Sequence, residues 1–125
     1  MIVDVDGLKA VNVNEGHAAG DELLRTCAQL LADNTRAIDV VGRIGGDEFA
    51  ALLRYTDEPA AAACCERLAQ RLDAREMRTP GDRRLTISVG FAPTTAAITI
   101  AAALGRADQR MYGQKQARRG SRAAQ

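Results

Sequence analysis

The chain has 125 residues, enough to close a single hydrophobic core, and one domain is the expectation for that length. Hydrophobic residues make up 46% and charged residues 26%, an ordinary globular composition, while 3% aromatics and no Trp leave the core to Ala, Leu, Ile and Val. A formal net charge of +1 argues against a nucleic-acid binder held by bulk electrostatics, no apolar run approaches a membrane span, and Met1-Ile-Val-Asp is not a signal peptide.

Met1 to Val5 is a short apolar run that closes on carboxylates at Asp4 and Asp6 and reads as a strand or the last part of one. From Ala18 to Asn34, Leu23, Leu24, Cys27, Leu30 and Leu31 form a one-sided helical stripe, with Asp21 and Glu22 in the first turns, where the helix dipole favours them. Val40 to Ile44 and Phe49 to Leu53 are two apolar runs joined by Gly45-Gly46-Asp47-Glu48, a hairpin signature in which the glycines are expected to supply positive φ. A second helix fits Glu58 to Ala74 with Ala61, Cys65, Leu68 and Leu72 on one face. Pro80-Gly81-Asp82 is a turn, and Leu85 to Phe91 alternates as a strand does. A last helix runs from about Ala97 to Ala117, striped by Ile100, Leu104, Ala107 and Met111. The order strand, helix, strand, strand, helix, strand, helix predicts an α+β fold, an antiparallel central sheet covered by helices on one face. The chain reads as opening inside its own first strand.

Three cysteines, Cys27, Cys64 and Cys65, cannot all pair within one chain, and no C-x-x-C or Cys/His spacing suggests zinc; buried, reduced thiols of a cytosolic protein are the expectation. Lys115, Arg118, Arg119 and Arg122 concentrate basic charge at the end, which by itself reads as solvated surface. The carboxylates are placed less blandly. If the first strand lies beside the hairpin, Asp4 and Asp47 converge on one divalent cation, and hard oxygen ligands there favour magnesium or manganese with substrate phosphates completing the shell. Taken alone, Gly-Gly-Asp-Glu reads rather as a solubilising acidic turn than as a metal site.

Five segments in order change that balance. Gly45-Gly46-Asp47-Glu48-Phe49 resembles the name-giving motif of the GGDEF family of diguanylate cyclases. Asp4-Val5-Asp6-Gly7-Leu8-Lys9-Ala10-Val11-Asn12 is similar to its D-x-D-x-x-K-x-x-N segment, and Gly16-His17-Ala18-Ala19-Gly20-Asp21 to its G-H-x-x-G-D segment. Thr86-Ile87-Ser88-Val89-Gly90 resembles its T-x-S-x-G strand, and Ala107-Asp108 through Met111-Tyr112 to Lys115 its A-D-x-x-x-Y-x-x-K helix. The resemblance spans nearly the whole chain and implies a palm-like, ferredoxin-like sheet of the kind found in nucleotidyl cyclases and polymerase palms. It also implies that the family's leading helix and part of the first strand are missing.

The resemblance assigns roles as well. Asp4, the Val5 carbonyl, Asp47 and Glu48 would hold two Mg2+ (or Mn2+), and Asp47, Glu48 and Lys9 would carry catalysis, with Asp47 assisting deprotonation of a ribose 3′-hydroxyl. Gly45 and Gly46 would leave room for phosphates, which Lys115 and Arg119 would meet. Arg118 stands where the family usually has glycine, Val13 where it commonly has Asp, and Gly7-Leu8 where bulkier or aromatic residues are usual. Asn12 and Asp21 would read guanine, His17 would stand beside the nucleotide, and a carboxylate accepting from N1–H and the 2-amino group argues GTP over ATP. Arg36, Asp39 and Arg67 match an R-x-x-D site at which product, cyclic di-GMP, inhibits allosterically. Partners implied are GTP, cyclic di-GMP, a second copy in a catalytic homodimer, and an upstream sensory or receiver domain; no nucleic acid is implied. The implied location is cytoplasmic, including the cytoplasmic end of a membrane-bound sensor. The rival readings are an inactive member of the family serving as a receptor for cyclic di-GMP or GTP, and a magnesium-dependent nucleotidyl cyclase that would not need R-x-x-D.

Overall fold

Strand β1 (Ile2–Val5) is buried along its whole length, and it takes the inner position that such a run demands. It pairs antiparallel with β3 (Glu48–Leu52) on one side and with β4 (Ile87–Gly90) on the other, and β2 (Val40–Arg43) completes a four-stranded sheet of order β2-β3-β1-β4. The computed structural model describes residues 1–73, 85–95 and 98–124. The expected turn at Pro80-Gly81-Asp82 and the predicted ends at Ala74 and Ala97 lie outside them.

Alternation along the strands divides the apolar residues between two faces. Val3, Val5, Phe49, Ala51 and Ile87 face the main core with Leu23, Cys27, Leu30 and Leu31 of α2 (His17–Asn34) and Leu68 and Leu72 of α3 (Glu58–Asp73). Ile2 and Ala50 face the other way, against Leu104, Ala107 and Met111 of α4 (Ile100–Ala123). Helices therefore cover both faces of the sheet, and the expectation of a single covered face is corrected. Every residue of the α2 stripe is buried as expected. On α4, Ile100 is 55% exposed and Ala103 is buried in its stead, so the docked face begins one turn later. In α3 it is Cys64, rather than Cys65, that is fully buried.

A helix stands where none was predicted. α1 (Leu8–Glu15) buries only Leu8 and packs on α2, so its sequence carries no apolar stripe to read. Gly7 at φ 74° admits the chain to α1, and Gly16 at φ 88° ends α1 and begins α2, donating its N–H to the Asn12 carbonyl at 3.1 Å. The positive φ expected at Gly45 and Gly46 occurs instead at these two glycines. Among the described residues no helix is long and apolar enough to cross a membrane.

Candidate functional site

The register of the sheet brings the acidic residues of β1 to the hairpin. Asp4 is the cross-strand partner of Glu48, and the Val5 N–H donates to the Asp47 carbonyl at 2.8 Å, so the β2–β3 turn is bound to the end of β1. The turn is held from within as well. Ile44 N–H donates to the Glu48 carbonyl at 2.9 Å, and the Arg43 guanidinium donates to the Gly45 and Gly46 carbonyls at 3.0 and 2.8 Å. A Cβ at Gly46 would meet nothing within 4 Å, so neither φ nor packing within the chain requires glycine there.

Asp4 is buried on the α4 face, and Lys115 of α4 reaches it, Nζ donating to Oδ1 at 2.7 Å. Burial pushes the Asp4 carboxyl above the ordinary range, and Asp47 and Asp6 push the same way, against the lowering by Lys115. Glu48 is raised by burial first, then by the nearby charges of Asp108, Asp4 and Asp47. Burial opposes the Lys115 ammonium, but its bond to Asp4 and the charges of Asp4, Asp6 and Asp47 outweigh that and raise it. Asp6 is fixed beside them: the buried Ser88 hydroxyl donates to it at 3.0 Å, and Arg118 lies 3.8 Å away while donating to the Ile87 carbonyl. The sheet end thus gathers several carboxylates around one lysine, a place suited to cations and phosphates.

The remaining predicted site residues surround this centre unevenly. Asn12 of α1 is half-buried against Gly20, while Lys9, His17, Asp21 and Arg119 are exposed and their side chains make no hydrogen bond or ion pair with other described residues. The structure brings Asp4, Glu48 and Lys115 together and binds Asp47 to Val5, but it joins none of those four to the carboxylates by a direct contact. Among the described residues, no group of three or more His, Cys, Asp or Glu side chains is arranged to hold a metal ion. Magnesium ordinarily takes one or two protein carboxylates and fills its shell with water and substrate phosphate, so Asp4 with its cross-strand partner Glu48 is a donor set of the size it uses.

Arg36 and Asp39 form a second cluster beyond the start of β2. Asp39 accepts from the Arg36 guanidinium at 3.1 Å and from the backbone N–H groups of Arg36 and Arg54 at 2.8 and 3.0 Å. Burial alone would raise the Asp39 carboxyl, but these donors outweigh it and hold it below the usual range. The same guanidinium donates to the Arg54 carbonyl and the Thr56 hydroxyl, clasping the turn in which Tyr55 takes φ 50°. Arg67, on α3, is exposed and forms no hydrogen bond or ion pair with either.

Sequence reasoning passed over Gly20, Ser88, Arg118 and Arg43 as parts of these sites. Alternation marks Ser88 as facing away from Ile87, and an arginine two residues before Gly-Gly is within reach of the turn carbonyls. The G-H-x-x-G-D segment marks Gly20 as a motif position, but not its closeness to Asn12.

Residues 1–121 match the protein family described as diguanylate cyclase, GGDEF domain. Diguanylate cyclase A of Treponema denticola is 33% identical over 118 residues, which cover 93% of this chain and 32% of that protein. Diguanylate cyclase DgcZ of Escherichia coli is 33% identical over 117 residues, covering 93% of this chain and 40% of that one. The chain thus spans about a third to two-fifths of the length of these curated relatives. Among solved structures, the GGDEF domain of DgcB from Caulobacter crescentus in complex with c-di-GMP shares the fold at TM-score 0.83 and 24% identity, covering 93% of this chain and 70% of that one. SiaD of Pseudomonas aeruginosa, solved with its activator SiaC, superposes at TM-score 0.81 with 31% identity, covering 93% of this chain and 45% of that one.

Proposed function

The chain belongs to the GGDEF family, and from that premise we propose that it condenses two molecules of GTP into cyclic di-GMP. The observation that carries the reading is the junction of β1 and the hairpin, where Asp4 faces Glu48 across the ladder and Asp47 is bonded to Val5. Asp4, the Val5 carbonyl, Asp47 and Glu48 would hold two magnesium ions. Bound there, magnesium supplies neutralisation of the triphosphate and lowers the pKa of the attacking ribose hydroxyl. Asp47 accepts the proton of that 3′-hydroxyl, whose oxygen bonds to the α-phosphorus of the other GTP as pyrophosphate leaves. Lys9, Lys115 and Arg119 bind phosphate oxygens and stabilise the charge that develops on them. The open space beyond Gly46 admits those phosphates to the backbone.

Asn12 and Asp21 read guanine, and His17 stands beside the nucleotide. Asp21 pairs with the N1–H and 2-amino donors; adenine offers an acceptor at N1 and no 2-amino group, so the carboxylate would lose its partners. Each domain holds one half of the reaction, so two loaded copies must face each other. Product binds at Arg36, Asp39 and Arg67 and slows turnover; the Arg36 side chain, held in place by Asp39, is still 54% exposed and so open to a guanine or a phosphate.

Incubation with GTP and magnesium, followed by chromatography for cyclic di-GMP, tests the reading. Product should form with the unaltered sequence and fall by at least about 100-fold in Asp47→Ala. Absence of product, together with tight cyclic di-GMP binding that Arg36→Ala abolishes, would make the domain a receptor instead.

A further inference from the structure

Lys115 has two assignments that compete for its ammonium. It donates to Asp4 Oδ1 at 2.7 Å, on a carboxylate whose side chain is 8% exposed, yet the proposed reaction uses Asp4 for a metal and Lys115 for phosphate. An ammonium at that distance and a divalent cation at about 2.1 Å from the same carboxylate would place two positive centres within a few ångströms of each other. Asp6 offers the lysine no equal alternative: it lies 3.9 Å from Nζ and already accepts from Ser88 at 3.0 Å beside Arg118. A carboxylate as buried as Asp4 needs a counter-charge, and Lys115 supplies one from within the chain.

We infer that Lys115 is an exchangeable counter-ion, holding Asp4 until metal and nucleotide arrive together and then passing to the triphosphate. The inference rests on the metal assignment of the preceding section. Metal alone must displace the lysine from Asp4 without giving it a new partner. Nucleotide phosphate gives it one, and the flexible four-carbon stem carries three donors that can turn to meet it. Metal and nucleotide therefore bind cooperatively, and each tightens the other by the same factor.

The test is titration of the whole chain with Mn2+ alone, followed by the electron paramagnetic resonance of the free ion at pH 8. Lys115→Met and Lys115→Gln should each bind Mn2+ about tenfold more tightly than the unaltered chain, within the usual range of two-site coupling. In both variants the gain in Mn2+ affinity on adding a non-hydrolysable GTP analogue should shrink. If both variants bind Mn2+ alone no more tightly than the unaltered chain, while Asp4→Asn abolishes binding, the exchange is wrong and the metal site stands. If Asp4→Asn binds Mn2+ like the unaltered chain, the metal assignment itself falls and the exchange falls with it.

Discussion

A methyl group on Gly20 would stand 1.8 Å from Asn12 Oδ1 and 3.2 Å from the Leu8 side chain. The nearest obstacle is the far end of a polar side chain, so Gly20→Ala should spare the fold and displace Asn12. If Asn12 reads guanine, KM for GTP rises about tenfold, the worth of one good hydrogen bond, with thermal unfolding little changed. Steady-state kinetics beside a melting curve separate that outcome from simple destabilisation. Asp39 makes a different prediction. Its carboxyl is depressed in the folded state, so its stabilisation is complete above the unfolded value near 4 and fades as pH falls through the lower folded value. The stability gap between the unaltered chain and Asp39→Asn, roughly 1 kcal/mol, should be open at pH 6 and close in strong acid; urea midpoints measured along that series check it. At this scale the sequence was legible where residues recur as a motif, as Asp4, Asp47 and Lys115 do. Gly20 stands in a motif segment too, but its service to a side chain eight positions away depends on how α1 folds against α2, which no motif spells out. The cysteines are quieter still: burial pushes the Cys27 thiol up to about 12, which suits packing and not chemistry.

Elements were legible in proportion to the apolar surface they bury. α2, with buried residues at every stripe position, was readable almost to its ends, whereas α1 hides one leucine and is defined by glycines at 7 and 16 that reverse the backbone. The covering of both sheet faces was missed for a related reason: the β1 run is apolar throughout apart from Asp4, so alternation in it is faint, and Ile2 and Val3 look alike until the helices are placed. α4 owes its close seat to Gly90 of β4. A Cβ there would stand 2.1 Å from the Ala107 carbonyl and 2.5 Å from the Met111 nitrogen, both helix backbone, which cannot step aside as a side chain can. Gly90→Ala should therefore cost about 1–3 kcal/mol in urea unfolding and, by lifting α4, loosen the grip of Lys115 on Asp4. Gly105→Ala, where a Cβ meets nothing within 4 Å, is the control and should hold or slightly raise stability.

Across the whole molecule, the sheet separates support from chemistry. α2 and α3 close the larger core on one face, and α4 brings Lys115 and Arg118 to the carboxylates on the other. β2 lies at the sheet edge, with the Arg36–Asp39 clasp before it and the Gly-Gly turn after it, so its four residues put roughly 13 Å between the two sites. If product is held at that clasp, as proposed, it lies at the far end of β2 from the turn, and its inhibition would then act on how two domains meet. That same requirement sets the concentration dependence of the reaction. With one nucleotide per domain and two nucleotides per product, the rate should rise more steeply than linearly with protein at low concentration and become linear once pairs are saturated. Initial rates over a hundredfold dilution, read beside sedimentation, measure this directly. A strictly linear rate from a stable monomer would mean that one domain completes both bonds, and the division of labour proposed for the sheet end would have to be abandoned.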